Sequence, residues 1–313
     1  MATITNAQTT ASAVGIVEGI NEQIGRVDVE ETPIMSMIGE GQAKQPLYEW
    51  QTRLLGTVNT SNAAPEGDTT TNAASTQNVR ISNICQISKK NATVSGTMDA
   101  TELHGRESEM ALQMADRTIE LRKDMEAIQF GTNQAYSNGG TRTLRSLEAW
   151  IRTNTVKGAS GADPADPTVT PGTTRTDGTI VNFTAAMIDT IMQACFLIGA
   201  RPSKIVMGAT AKVKFSTFTG RTGSYIDISK AVVTNNVTKY ESNFGVLDAV
   251  PHPYIRQRTV FLLDPKYIKT VYLRKFKSYP LAKVGDATTR EILSEYTLQV
   301  LNERAHGIIA DIQ

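Results

Sequence analysis

Residues 44–98 read KQPLYEWQTRLLGTVNTSNAAPEGDTTTNAASTQNVRISNICQISKKNATVSGTM, two apolar flanks around a long polar middle. On the first flank Tyr48, Trp50 and Leu54 fall on alternating positions; on the second, Val79 and Ile81 are followed by Ile84 and Ile87. Alternation of this kind predicts two strands, because successive side chains of a strand point to opposite faces. The stretch between them, residues 59–78, holds no apolar side chain larger than Ala or Pro, and Pro65-Glu66-Gly67-Asp68 at its centre is turn chemistry. Irregular connections of that length are uncommon inside a compact domain and belong to functional excursions. The reading is a long two-stranded hairpin that reaches away from the body.

Outward from the hairpin, toward the C-terminus, the period changes. Met110, Met114, Leu121, Met125 and Ile128 recur at helical spacing, which predicts a helix from about Leu103 to Phe130 with one apolar face. Arg122 with Glu126, and Glu120 with Lys123, stand where helical ion pairs form on a solvated face. Thr101 is the expected N-cap, and Gly131 with Asn133 the expected stop. At about 1.5 Å per residue the helix would be roughly 40 Å long. Gly139-Gly140 marks a turn, and residues 158–179, rich in Gly, Pro, Asp and Thr, predict a surface loop or a hinge, with a boundary near 150.

A second helix is expected between Thr184 and Gly199, burying Met187, Ile188, Ile191, Cys195 and Ile198. Strands follow at 205–208, 244–250, 259–264, 269–276 and within 291–312. Helices early and strands late indicate an α+β fold. Before the hairpin, residues 1–13 are small and polar, and the apolar residues from Val14 to Ile24 are interspersed with and followed by Gly15, Gly19 and Gly25, the composition of an arm that lies against something else.

Composition excludes several classes of function. Lys and Arg total 32 against 31 Asp and Glu, a net charge of +1, too little field to hold nucleic acid by itself. Two cysteines, Cys85 and Cys195, make neither a disulfide framework nor a zinc site. The N-terminal residues lack a signal-peptide pattern, and no window approaches the ~20 apolar residues of a membrane span, so folding in a cytoplasm without a membrane partner is expected. None of His104, His252 and His306 has a second ligand at metal spacing; His252, between two prolines, reads as a rigid turn residue. Nucleophile-elbow and phosphate-loop motifs are missing, and the nearest imitation, GRTGS at 220–224, lacks the lysine. No catalysis and no cofactor are expected. Arg274, Lys275 and Lys277, interleaved with Tyr272, Phe276 and Tyr279, form a strip that could face DNA weakly, against the plainer reading of a strand with one wet side.

Two segments carry a resemblance to a known family. ETPIMSMIGEGQAKQPLYEWQTRLL (31–55) is similar in order and spacing to the opening of a tailed-bacteriophage major capsid protein family, and residues 279–312, with Gly285-Asp286 and Glu295-Tyr296-Thr297-Leu298, resemble its C-terminal strands. The resemblance implies the Hong Kong 97-type capsid fold: N-terminal arm (1–45), extended loop (46–100), peripheral-domain spine helix (101–140), axial domain (141–265) and mainly peripheral strands (266–313). It implies a shell of pentamers and hexamers built from many copies and enclosing double-stranded DNA, assembled in the host cytoplasm and carried in the virion. Portal, scaffold and decoration proteins would be further partners. In the fold's namesake a lysine of the extended loop is joined covalently to another subunit's asparagine; residues 53–78 contain no lysine, so that link is expected to be absent. Tyr48, Trp50, Arg53, Leu54, Pro65 and Glu66 are the candidate intersubunit contacts, since an extended hairpin must lay its apolar residues on a neighbour or on its own spine helix. The rival readings are an encapsulin-like compartment shell and a secreted fibre or surface-layer protein.

Overall fold

In a computed structural model the chain is described at residues 32–53, 55–56, 58–69, 77–102, 108–168, 172–218 and 238–313. Most of the expected arm, Leu54, His104 and the GRTGS turn lie outside these. Among the described residues the elements run α1 (Pro33–Met37), β1 (Gly39–Gln42), β2 (Leu47–Thr52), β3 (Val79–Ile84), β4 (Gln86–Ser95), α2 (Gly96–Ala100) and α3 (Glu109–Glu126). After a π-helical turn come α4 (Leu147–Trp150), β5 (Thr155–Val156), α5 (Ala185–Ile198), β6 (Lys204–Met207) and α6 (Ala209–Phe215). The chain ends with β7 (Lys239–Ser242), β8 (Gly245–Pro251), β9 (Thr259–Leu263), β10 (Ile268–Pro280), β11 (Ala287–Val300) and β12 (Gly307–Ala310).

Three sheets result. The expected hairpin is a two-stranded ladder, antiparallel from Leu47 opposite Ile84 to Thr52 opposite Val79. A four-stranded sheet has the order β1-β10-β11-β4, and a six-stranded mixed sheet the order β5-β12-β9-β6-β8-β7. Side-chain alternation divides the six-stranded sheet between two cores. Ile205, Met207, Val260, Leu262 and Ile309 face α5, against Ile188, Ile191, Met192 and Cys195. Their neighbours in the chain, Val206, Phe261, Leu263 and Ile308, point the other way into a core with Leu121, Met125, Trp150, Tyr296 and Leu298. One face of the six-stranded sheet therefore closes on the four-stranded sheet, and β12 brings the end of the chain back into the six-stranded sheet.

The long helix differs from its sequence reading. It starts at Glu109, with the Ser108 hydroxyl accepting from the Ala111 N–H, whereas Thr101 closes the short helix α2. Its 18 residues span about 27 Å rather than 40. The apolar face is as expected: Met110, Leu121 and Met125 are buried. The stop lies in the π turn Ala127–Gly131, where the chain packs so tightly that a Cβ on Gly131 would sit 2.2 Å from the Tyr254 carbonyl oxygen. Asn133 binds elsewhere, its side-chain amide pairing with both backbone groups of Arg175.

Residues 144–151 are buried, so the chain does not thin to a linker near 150. Nor are the described parts of 158–179 a loose loop: the Arg175 guanidinium is buried, donating to Asp163 and to the Ile151 carbonyl. The second helix begins after Thr184, whose side chain makes no capping hydrogen bond, and closes as expected at Gly199, left-handed at φ +87°. Its buried set includes Met192, while Met187 is half-buried and Ile198, on the same side of the helix as Ile191 but at its last position, is exposed.

Candidate assembly surfaces

The hairpin is rooted inside its own subunit. Trp50 is 7% exposed, its indole N–H donates to the Val300 carbonyl at 3.0 Å, and its ring lies 5.4 Å from that of Trp150. Tyr48, half-buried, stacks against Trp50 at 5.8 Å. Trp50 is thus an internal anchor, and as a contact for a neighbour it is withdrawn: the ring meets the body of its own chain. Beyond the ladder the picture reverses. Arg53, Leu55, Val58, Pro65 and Glu66 are exposed, Leu55 and Val58 at 92%. The turn forms where expected, Asp68 donating to the Pro65 carbonyl with Gly67 at φ +80°, the third-position glycine of a type II turn.

A second node ties the chain's entry to the long helix. Glu126, expected on the solvated face with Arg122, is fully buried instead. One carboxylate oxygen accepts from the Ile34 N–H and from His252 Nε2, both at 2.8 Å; the other accepts from the Met35 N–H at 3.0 Å. His252 Nδ1 in turn accepts the N–H groups of Tyr254 and Ile255. That fixes the tautomer with the proton on Nε2, aimed at the carboxylate. The rigid turn expected at His252 is there, with a partner that no local pattern signals: nothing in the sequence separates Glu126 from its solvated neighbours Glu120 and Asp124.

The basic strip is largely self-compensated. Arg274 pairs with Glu295 at 2.8 Å and Lys275 with Glu40 at 2.7 Å, while the Lys275 ammonium lies over the Tyr272 ring. Lys277 is exposed, but Tyr272 is buried and closed off from any base. Glu295 also receives Arg142 at 2.6 Å, so one buried carboxylate gathers two guanidiniums.

Among the described residues no group of three or more His, Cys, Asp or Glu is placed to hold a metal. Burial pushes the Cys85 thiol up to about 12 and that of Cys195 to about 11, which leaves both as unreactive core groups. Burial likewise pushes the His306 imidazole down to about 3. The Glu148 carboxyl is driven up to about 7, foremost by burial, against the opposing pull of Arg256 and Arg175.

Sequence reasoning missed two apolar surfaces. Phe196, Leu197 and Ile198 end α5 exposed, with Phe244 5.4 Å from Phe196 and Val246 exposed nearby in sequence. Tyr279, Leu281 and Val284 stand exposed at the tip of the β10–β11 hairpin. The first could have been found: three consecutive apolar residues on a helix, about 100° apart, cannot all face one core.

Comparison with known proteins follows this geometry closely. A family profile described as SU10 major capsid protein matches residues 3–313. The major capsid protein of Escherichia phage Phieco32 is 33% identical over 99 residues, 32% of this chain and 28% of that relative, so the match spans under a third of the relative's length. Among solved structures, the capsid of cyanophage P-SCSP1u superposes with a TM-score of 0.64 at 11% identity, covering 99% of this chain and 97% of that one. A structure of phage G major capsid and decoration proteins gives 0.54 at 10% identity, with 100% of both chains covered.

Proposed function

The chain belongs to the SU10 major capsid protein family, and from that premise we propose that it is the subunit of a tailed-phage head, assembling with many copies of itself into pentamers and hexamers that close around double-stranded DNA. The fold is the one shared by tailed-phage capsid proteins, of the Hong Kong 97 type expected from the sequence. One observation in the chain itself carries the reading: a hairpin rooted by Trp50 in its own core presents Leu55 and Val58 almost fully to solvent. Exposed apolar side chains so placed mark a contact with another molecule.

The other exposed apolar sets, at the end of α5 and at the β10–β11 tip, lie on different elements. Separate patches suit a heterologous lattice, in which each surface meets a different surface of the next copy and rings close by rotation. Many weak contacts per subunit then add to a stable shell. The division into arm (1–45), extended loop (46–100), spine helix (101–140), axial domain (141–265) and peripheral strands (266–313) is part of the proposal, with β4 of the loop segment pairing with β11 and β12 joining the six-stranded sheet. Packaged DNA is held weakly, through residues such as Lys277, because the neighbouring cations are already paired. A portal, a scaffold and a decoration protein complete the partners, with assembly in the host cytoplasm; no helix among the described residues is long and apolar enough to cross a membrane. The compartment-shell and surface-layer readings draw no support from the comparisons.

Negative-stain electron microscopy with sedimentation of the purified protein tests the proposal. Closed shells, or rings of five and six, are the expected result. A homogeneous monomer that persists at high concentration with the neighbouring virion proteins added would overturn it.

A further inference from the structure

After the long helix the chain makes a small loop whose ends are clamped. Ser137 and Thr143 each donate a backbone N–H to the other's carbonyl, at 3.0 and 3.1 Å, leaving Asn138 to Arg142 between them. Residues 138–141 are exposed, and a side chain added at Gly140 would meet nothing within 4 Å. Asn138 is followed by Gly139, and of all the asparagines in the sequence it alone precedes a glycine. The backbone N–H of Gly139 leans on the Ser137 hydroxyl oxygen at 3.4 Å, an acceptor placed where that proton has to go.

From this juxtaposition we propose that Asn138 is a site of spontaneous deamidation, a modification built into the subunit without an enzyme. The Gly139 nitrogen attacks the side-chain carbonyl carbon of Asn138. A new C–N bond closes a five-membered succinimide, the amide C–N bond breaks, and the Gly139 proton leaves with the departing ammonia by way of the Ser137 hydroxyl and solvent. Water then opens the ring at either carbonyl, giving aspartate or isoaspartate. Glycine permits the reaction because it has no Cβ to hinder the approach and the widest choice of backbone angles. Buried asparagines are held from it: Asn83 donates to the Leu298 carbonyl, and Asn154 to those of Arg304 and His306. Each event takes the subunit's formal charge from +1 to neutral, on the loop that also carries the Arg142 clamp on Glu295.

The test is peptide mass spectrometry of the purified full-length protein, held folded at mildly alkaline pH and sampled over weeks, beside the Gly139→Ala and Ser137→Ala variants. Asn138 is expected to gain about 1 Da ahead of every other asparagine, as separable aspartate and isoaspartate peptides, with Gly139→Ala slower by about tenfold or more. Ser137→Ala is expected to slow it measurably with circular dichroism unchanged. An Asn138 that stays intact while another asparagine reacts, or a Gly139→Ala variant that reacts at the same rate, would overturn the proposal; an unchanged rate in Ser137→Ala would remove Ser137 from it.

Discussion

Glu126 shows how much one side chain can organise. Its carboxylate satisfies two backbone N–H groups at the start of α1 and the His252 imidazole at once, all out of water. Replacing it with alanine orphans three donors, each costing about 1–3 kcal/mol when buried. Glu126→Ala is therefore expected to lower the urea midpoint sharply, with fast hydrogen exchange at the Ile34 and Met35 amides. Normal protection at both amides would show that the carboxylate does not hold the arm. The titrating groups give a second prediction. His306, lowered to about 3 from 6.5, binds its proton in the unfolded chain first, so its contribution to stability is lost as pH falls from 6.5 toward 3. Glu148, raised to about 7 from 4.5, holds its proton more tightly when folded, so its contribution is lost as pH rises from 4.5 toward 7. The two slopes, each about 1.4 kcal/mol per pH unit at most, oppose one another between 4.5 and 6.5. Denaturation midpoints are expected to be flat in that window, to fall on the acid side because of His306, and to fall between 6.5 and 7 because of Glu148. Glu148→Gln should abolish the second decline and turn the flat window into a rise with pH, because the His306 slope is then unopposed.

At the scale of elements, the hairpin joins two functions that point mutations can separate. Its root is core: Trp50→Ala removes a buried ring and its hydrogen bond to the Val300 carbonyl, and is expected to destabilise the monomer by about 3–5 kcal/mol in chemical denaturation. Its outer part is surface: Leu55→Ser with Val58→Ser is expected to leave the denaturation midpoint within about 0.5 kcal/mol of the parent and yet to reduce shell yield in sedimentation. Loss of assembly without loss of stability assigns those residues to a contact between copies; unchanged assembly would remove them from it. Strands and turn of this element were legible in the sequence, because alternation and turn chemistry are local, whereas the register came from the structure. The start of the long helix was not. Thr101 and Ser108 are both competent caps, and the choice between them rests on where β4 delivers the chain through α2.

For the whole molecule, the lysine-free stretch from 53 to 78 carries a prediction about the assembled particle. Mature shells boiled in denaturant are expected to run as monomer on electrophoresis, and ladders of covalent multimers would contradict it. Sequence alone determined the fold class, the hairpin, the apolar face of the long helix, the glycine stop of α5, the inert cysteines and the near-balanced charge. Each of these follows from patterns within about two turns of chain or from composition. Tertiary structure alone decided that Trp50 faces inward, that Glu126 serves the α1 amides rather than Arg122, that Glu295 and Glu40 pair Arg274 and Lys275 of the basic strip, and that the six-stranded sheet shares its second face with the core of the four-stranded one. The reason is physical: those outcomes depend on partners between 21 and 250 residues away, such as Val300 for Trp50 and His252 for Glu126, and burial is fixed only when such distant segments are packed together.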